Sequence, residues 1–297
     1  MNVIEARGLV AVGVDGSPEA VTAARYAVTL AQARHVDLLV VHAYQFPMAM
    51  PEMTVDLMST AHAEAEQVAV SVVSQLTLPT TMRVGTVVEV ATPAALLCRV
   101  AATAAVLVLG VHHFSLSDLL LTGPVASPVA ARAGCPIVVV PREWGRARTA
   151  LRPVVVALDG ETSATSVLDF AFAEAERSKS GVTALHAVPR PAEPGWGVDP
   201  RLGIAEVLAG HEQDHPDIVV RTLVIPGQAT EAIIHESFAA AMVIVGRPHR
   251  ERLGSWTRSV ARAVLEQARC PLVIVPTTRR SAAPPSEPVL AVMTSGT

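Results

Sequence analysis

Aromatic residues are scarce. Phenylalanine, tryptophan and tyrosine together make up 3% of the 297 residues, although 51% of the chain is hydrophobic. A core with so few rings must be filled by Val, Leu, Ile and Ala, the composition of parallel strands covered on both faces. That much apolar matter also excludes wholesale disorder. Lysine is nearly absent: Lys179 is the single one, and the net charge is −4. No long basic run exists, which argues against a nucleic-acid partner. Cysteine is limited to Cys98, Cys135 and Cys270, with no C-x-x-C pair and no His/Cys cluster at metal-ligand spacing. These three read as buried thiols of a reducing compartment. The N-terminus carries an early Glu5 and lacks the apolar segment of a secretion signal. The most membrane-like stretch, residues 93–111, is interrupted by Pro93 and Arg99 and divides into a helix and a strand. The expectation is a soluble, cytoplasmic chain with no membrane partner and no metal.

What is present is a repeat. "VAVGVDGSPEA" from Val10 returns as "VVVALDGETSA" from Val154, and Asp15 and Asp159 lie 144 residues apart. "LLVVHAY" returns as "VTALHAV", with His42 and His186 again 144 apart. "VLVLG" ending at Gly110 returns as "MVIVG" ending at Gly246, and "AGCPIVVVP" as "ARCPLVIVP". Each copy has the length of a whole domain rather than of a solenoid unit. The division expected is residues 1–141, a linker at 142–152, residues 153–276 and a disordered tail at 277–297.

Within a copy the hydrophobic period alternates between that of a strand and that of a helix. In the first, strands are expected at 9–14, 37–43, 80–90, 105–110 and 137–140. Helices are expected from Pro18, capped by Ser17, to about His35, over 54–76 and 93–103, and ending near Ala133. Second-copy strands fall near 153–158, 182–188, 218–225, 241–246 and 272–275. Alternating strands and helices imply an α/β fold, with two tandem, doubly wound, mostly parallel sheets.

At these residues the chain resembles the universal stress protein family in its tandem two-domain form. The likeness rests on a strand ending in Asp-Gly-Ser, a strand ending in Val-His, an apolar strand ending in Gly, and a helix leading into Cys-Pro and a last strand, in that order twice. It implies five-stranded, Rossmann-like domains of the adenine nucleotide α-hydrolase-like type. It also implies last strands that pair domain to domain, as an internal pseudo-dimer or a homodimer. Many members bind ATP. For those, the resemblance assigns the nucleoside to the aspartate after the first strand and to the backbone beyond the second strand's histidine: Asp15 and Ala43, then Asp159 and Ala187. The phosphates go to a G-x-x-G loop followed, after nine more residues, by a third glycine and a hydroxyl, where backbone N–H groups at a helix start form an anion nest.

Both copies depart from that loop. In the first, Gly110 fits, His113 stands at the second glycine, and Gly123 fits but is followed by Pro124, which lacks both hydroxyl and N–H. A histidine forced into the left-handed region costs about 1–2 kcal/mol. Ser127-Pro128 offers a competing helix start, and Asp118 puts a negative charge in the loop. In the second copy Gly246 fits, His249 again replaces glycine, Arg258 takes the third glycine's place and Ser259 keeps the hydroxyl. Arg247, Arg250 and Arg252 surround it, either as a solvated basic loop or as guanidinium donors for a phosphate. His42 and His186 read as structural, and nothing at ligand spacing turns His112 and His113 into a metal site.

Three functions compete. One is a stress-associated regulator that binds ATP or another adenine nucleotide. The second is a scaffold of the same fold that binds no nucleotide and acts through protein partners. The third, an adenine nucleotide hydrolase-type enzyme, wants a Ser/Gly-rich loop after the first strand, where only Asp15-Gly16-Ser17 stands. A non-enzyme, or at most a weak ATPase, is expected.

Overall fold

A computed structural model describes residues 8–46, 55–111, 125–145, 152–158, 164–188, 200–247, 264 and 267–276. The middle of the expected linker (146–151) and the expected tail (277–297) lie outside them. The chain divides into two compact units, the first built on Met1–Arg142 and the second on Glu143–Arg279.

The first unit runs β1 (Val10–Gly13), α1 (Pro18–Arg34), β2 (Leu38–Tyr44), α2 (Val55–Ser74), β3 (Val84–Val90), α3 (Pro93–Val100), β4 (Val106–Gly110), α4 (Ala126–Arg132) and β5 (Ile137–Val140). Its strands lie in the order β3-β2-β1-β4-β5, and every pairing is parallel. The second unit runs β6 (Val154–Leu158), α5 (Ala164–Ser178), β7 (Val182–Val188), α6 (Pro200–Asp214), β8 (Val220–Pro226), α7 (Ala229–Ser237), β9 (Met242–Gly246) and β10 (Leu272–Val275). Its order, β8-β7-β6-β9-β10, is the same topology, again all parallel.

Both sheets are built as the composition requires. β4, β5, β9 and β10 are almost entirely buried Val, Leu and Ile. The inner face of α1 is buried alanine (Ala20, Ala23, Ala24, Ala27 and Ala31), which lets the helix approach the sheet closely. Two helices start on the same device. Ser17 caps α1, its Oγ accepting from Ala20 N at 3.2 Å, and Thr92 caps α3, its Oγ1 accepting from Ala95 N at 3.3 Å. Each is followed by a proline at the first helical position, where no N–H is needed.

The third such signal, Ser127-Pro128, does not act this way. Helix α4 already begins at Ala126 with Val125 in helical conformation and no side-chain cap bond. Pro128 falls inside the first turn, whose N–H groups have no intrahelical acceptor, so the ring does no harm there. β3 also starts later than the expected residue 80. Met82 N donates to Pro79 O in a turn, and Arg83 is held by Asp37 through its own N–H (2.9 Å) and its Nε (2.8 Å). Pairing then begins at Val84 opposite Leu38.

Candidate functional site

In each unit the chain runs outward from its first strand in both directions, so the strand order reverses between β1 and β4, and between β6 and β9. In open parallel sheets the crevice beyond the carboxyl ends at such a switch point is where ligands bind. In the first unit Val12 pairs with Val108, so Val14 and Gly110 follow two residues later on adjacent strands. Asp15 leaves β1 there, Ala43 stands near the end of β2 opposite Glu89, and Gly110 ends β4 opposite Val140. The structure thus brings Asp15, Ala43 and Gly110 to one rim. In the second unit it does the same for Ala187, opposite Ile225, and Gly246, opposite Val275. His113, Gly123, Asp159, His249, Arg258 and Ser259 lie outside the described residues, as do Asp118, Pro124, Arg250 and Arg252.

Close packing shapes this rim. A Cβ on Gly110 would come 2.7 Å from the carbonyl oxygen of Glu19, so the first turn of α1 rests directly on the end of β4. Glu19 itself is buried, and its carboxylate meets Arg142 Nε at 3.2 Å. Gly16 adopts φ 84°, a left-handed turn that glycine enters freely, and Val68 of α2 stands 3.3 Å from where its Cβ would be. The exposed Asp15 closes the turn, its Oδ1 accepting from Ser17 N at 2.9 Å and from Ser17 Oγ at 2.5 Å. That leaves the second carboxylate oxygen for another donor.

The strand-end histidines do one job twice. His42 Nδ1 lies 2.8 Å from Val14 O, and His186 Nδ1 lies 2.8 Å from Leu158 O. A carbonyl only accepts, so Nδ1 carries the proton in both. Each ring ties the end of a second strand to the residue just before Asp15 or Asp159. The structural role expected for them is therefore specific: they pin the carbonyl at the end of the first strand.

Sequence reasoning missed a side-chain group next to Ala43. The Tyr44 hydroxyl lies 2.8 Å from His62 Nδ1 on α2, and His62 Nε2 faces Glu66 Oε1 at 3.4 Å. Burial, and then the Glu66 charge, push the Tyr44 hydroxyl above its ordinary range, which keeps it a hydrogen-bond donor. The i,i+4 spacing of His62 and Glu66 was visible in the sequence; their meeting with Tyr44 needs the helix packed on the sheet.

Elsewhere, burial pushes the Cys270 thiol up to about 12, and burial raises Cys98 against the lowering pull of Arg132. None of the three cysteines forms a disulfide; Cys135 and Cys270 are buried, whereas Cys98, expected to be so too, is half-buried. A cleft of about 430 Å³ in the second unit, lined among others by Glu176, Lys179, Asp214, His215 and Asp217, opens before the starts of β7 and β8, away from the carboxyl ends of the strands. Among the described residues no group of three His, Cys, Asp or Glu is placed to hold a metal ion, and no helix is long and apolar enough to cross a membrane.

The fold and its rim define a tandem pair of Rossmann-like units with switch-point crevices. The universal stress protein family model matches residues 8–141 and again 150–276, and the chain belongs to that family as a tandem-domain member. Universal stress protein Rv2005c of Mycobacterium tuberculosis is 29% identical over 282 residues, covering 89% of this chain and 96% of its own. A crystal structure of a universal stress protein from Archaeoglobus fulgidus shares the fold at 14% identity and a TM-score of 0.67, over 91% of this chain and 97% of that one. Another protein of the family from Archaeoglobus fulgidus, solved in complex with dAMP, aligns with 43% of this chain and 99% of its own, at 22% identity and a TM-score of 0.34; that ligand is a property of that protein.

Proposed function

We propose that this chain is a stress-associated regulatory protein that binds ATP or a related adenine nucleotide, chiefly in its first unit. The observation that carries the reading is the convergence of Asp15, Ala43 and Gly110 from three neighbouring parallel strands on the switch-point rim. Asp15 supplies a carboxylate with one oxygen uncommitted, suited to a ribose hydroxyl, and Ala43 supplies main-chain groups for the base. Gly110 begins the phosphate loop, which continues through His113 to Gly123. Asp159, Ala187 and Gly246 form the matching set in the second unit, where His249, Arg258 and Ser259 stand in place of the glycine nest. The role is binding rather than catalysis, in the cytoplasm, whose reducing conditions suit three cysteines outside any disulfide.

A second reading, a scaffold without nucleotide that acts through protein partners, is favoured by one contact. The Asp15–Ser17 hydrogen bonds close a turn and cap α1, and that alone accounts for an aspartate here. One experiment separates the two. The protein is purified without added nucleotide and denatured, and released small molecules are identified by mass spectrometry. ATP is then titrated calorimetrically into wild type and Asp15→Ala. Loss of a hydrogen bond to a charged group should weaken binding by about tenfold or more in the variant. No released nucleotide and no heat with wild type up to millimolar ATP establish the scaffold instead.

A further inference from the structure

Just past Ala43 the two units diverge. β2 ends in Tyr44, whereas the position 144 residues further on, at the end of β7, is Val188. Phe46 has Arg190 as its counterpart. Tyr44 is half-buried and held at two points. Its hydroxyl meets His62 Nδ1 at 2.8 Å, and its ring meets Phe46 edge-on, with centroids 5.5 Å apart and planes at 80°. A single neutral tautomer of His62 serves both of its contacts. Nε2–H faces Glu66 at 3.4 Å, and the Nδ1 lone pair accepts from the tyrosine hydroxyl. A ring fixed in this way loses little freedom when something stacks on it.

The same group belongs to the rim. Tyr44 is the next residue along β2 from Ala43. The helix that carries His62 also reaches the Asp15–Ser17 turn, through Val68 beside Gly16. Six residues separate His62 from Val68, a rise of about 9 Å along α2 at roughly 1.5 Å per residue. The turn that carries Asp15 and the Tyr44 hydroxyl therefore both meet α2, at points about 9 Å apart along it.

We propose that Tyr44, held by His62 and Phe46, is the aromatic wall on which the base of a bound nucleotide stacks, so that the first unit discriminates between bases and the second does not. This rests on the nucleotide-binding reading above and adds to it a specificity residue. Stacking on one aromatic side chain changes affinity by about 5- to 100-fold for any base, with a modest preference for the larger π-face of a purine.

The test uses the full chain and three probes, ATP, CTP and inorganic tripolyphosphate, titrated calorimetrically into wild type, Tyr44→Phe, Tyr44→Val and Asp15→Ala. Wild type should prefer ATP to CTP by about threefold, and Tyr44→Phe, which keeps the ring, should retain that preference. Tyr44→Val, which installs the second unit's residue, should bring the ratio close to one and leave tripolyphosphate binding unchanged. The ratio is independent of the fraction of protein that is folded, so a partly unfolded variant cannot imitate the result. A Tyr44→Val protein that keeps the wild-type ratio while Asp15→Ala weakens ATP overturns the aromatic wall alone. A wild type that binds neither nucleotide overturns the proposed function and the wall with it.

Discussion

His42 in the first unit and His186 in the second make the same bond, an Nδ1–H donated over 2.8 Å to the carbonyl at the end of the first strand. Around that bond the units differ. His42 is buried and His186 half-buried. The first unit has Tyr44 where the second has Val188, and Glu19, paired with Arg142, where the repeat puts Ser163. What is held in common is a grip on the main chain. What has changed is side chains at the mouth of the crevice. The grip on the main chain and the side chains around it are thus separate parts of each unit, and one can change without the other.

The largest effect that probes this separation is expected at Gly110. Alanine there would place Cβ 2.7 Å from a backbone carbonyl, with no flexible side chain to move aside. Gly110→Ala should destabilise the first unit by about 3 kcal/mol, the upper end of overpacking costs, as read from urea denaturation. Gly13→Ala meets the ends of the Leu97 and Leu109 side chains at 2.9 Å, which can shift, and should cost about 1 kcal/mol. Equal losses for the two would mean that α1 does not rest firmly on β4.

The next effect compares the two histidines. Removing a donor from a buried carbonyl leaves it unsatisfied, so His42→Leu should cost about 2 kcal/mol by the same measurement. His186→Leu should cost less than about 1 kcal/mol, because water reaches the half-exposed site and can replace the lost donor. Equal losses would show that the two clamps are equally closed to water and would break the comparison. The smallest effect is expected at Ser17. Ser17→Ala removes a single cap bond from α1 and frees the Asp15 carboxylate from one donor, at a cost of about 1 kcal/mol.

The regular parts of both units were legible in the sequence for a physical reason. Strands buried on both faces are unbroken apolar runs, and they stop where a charge or turn residue appears. β5 at Ile137–Val140 and β10 at Leu272–Val275 fall where the runs do. The ends of α1 were legible through Ser17-Pro18 at one end and His35 at the other, where the chain turns left-handed at φ 54°. The reading slipped where a local signal had to compete with its surroundings, at the Pro79 turn before β3 and at Ser127-Pro128 inside α4. At the site, Asp15, Ala43 and Gly110 were legible because the repeat and the family pattern mark strand ends. The Tyr44–His62–Glu66 group was not, because hydroxyl and imidazole lie 18 residues apart and meet only through the phase of α2 against β2.

The histidine clamp also bears on how such a chain can change over time. A bond to a carbonyl oxygen is blind to the side chain of the residue it holds, and Val14 in one unit and Leu158 in the other are gripped alike. Substitutions that follow a duplication can therefore accumulate on every side of the clamp without redirecting the backbone beneath them. A duplicated domain with this anchor is free to give one copy a new ligand, or none, while the other keeps the old.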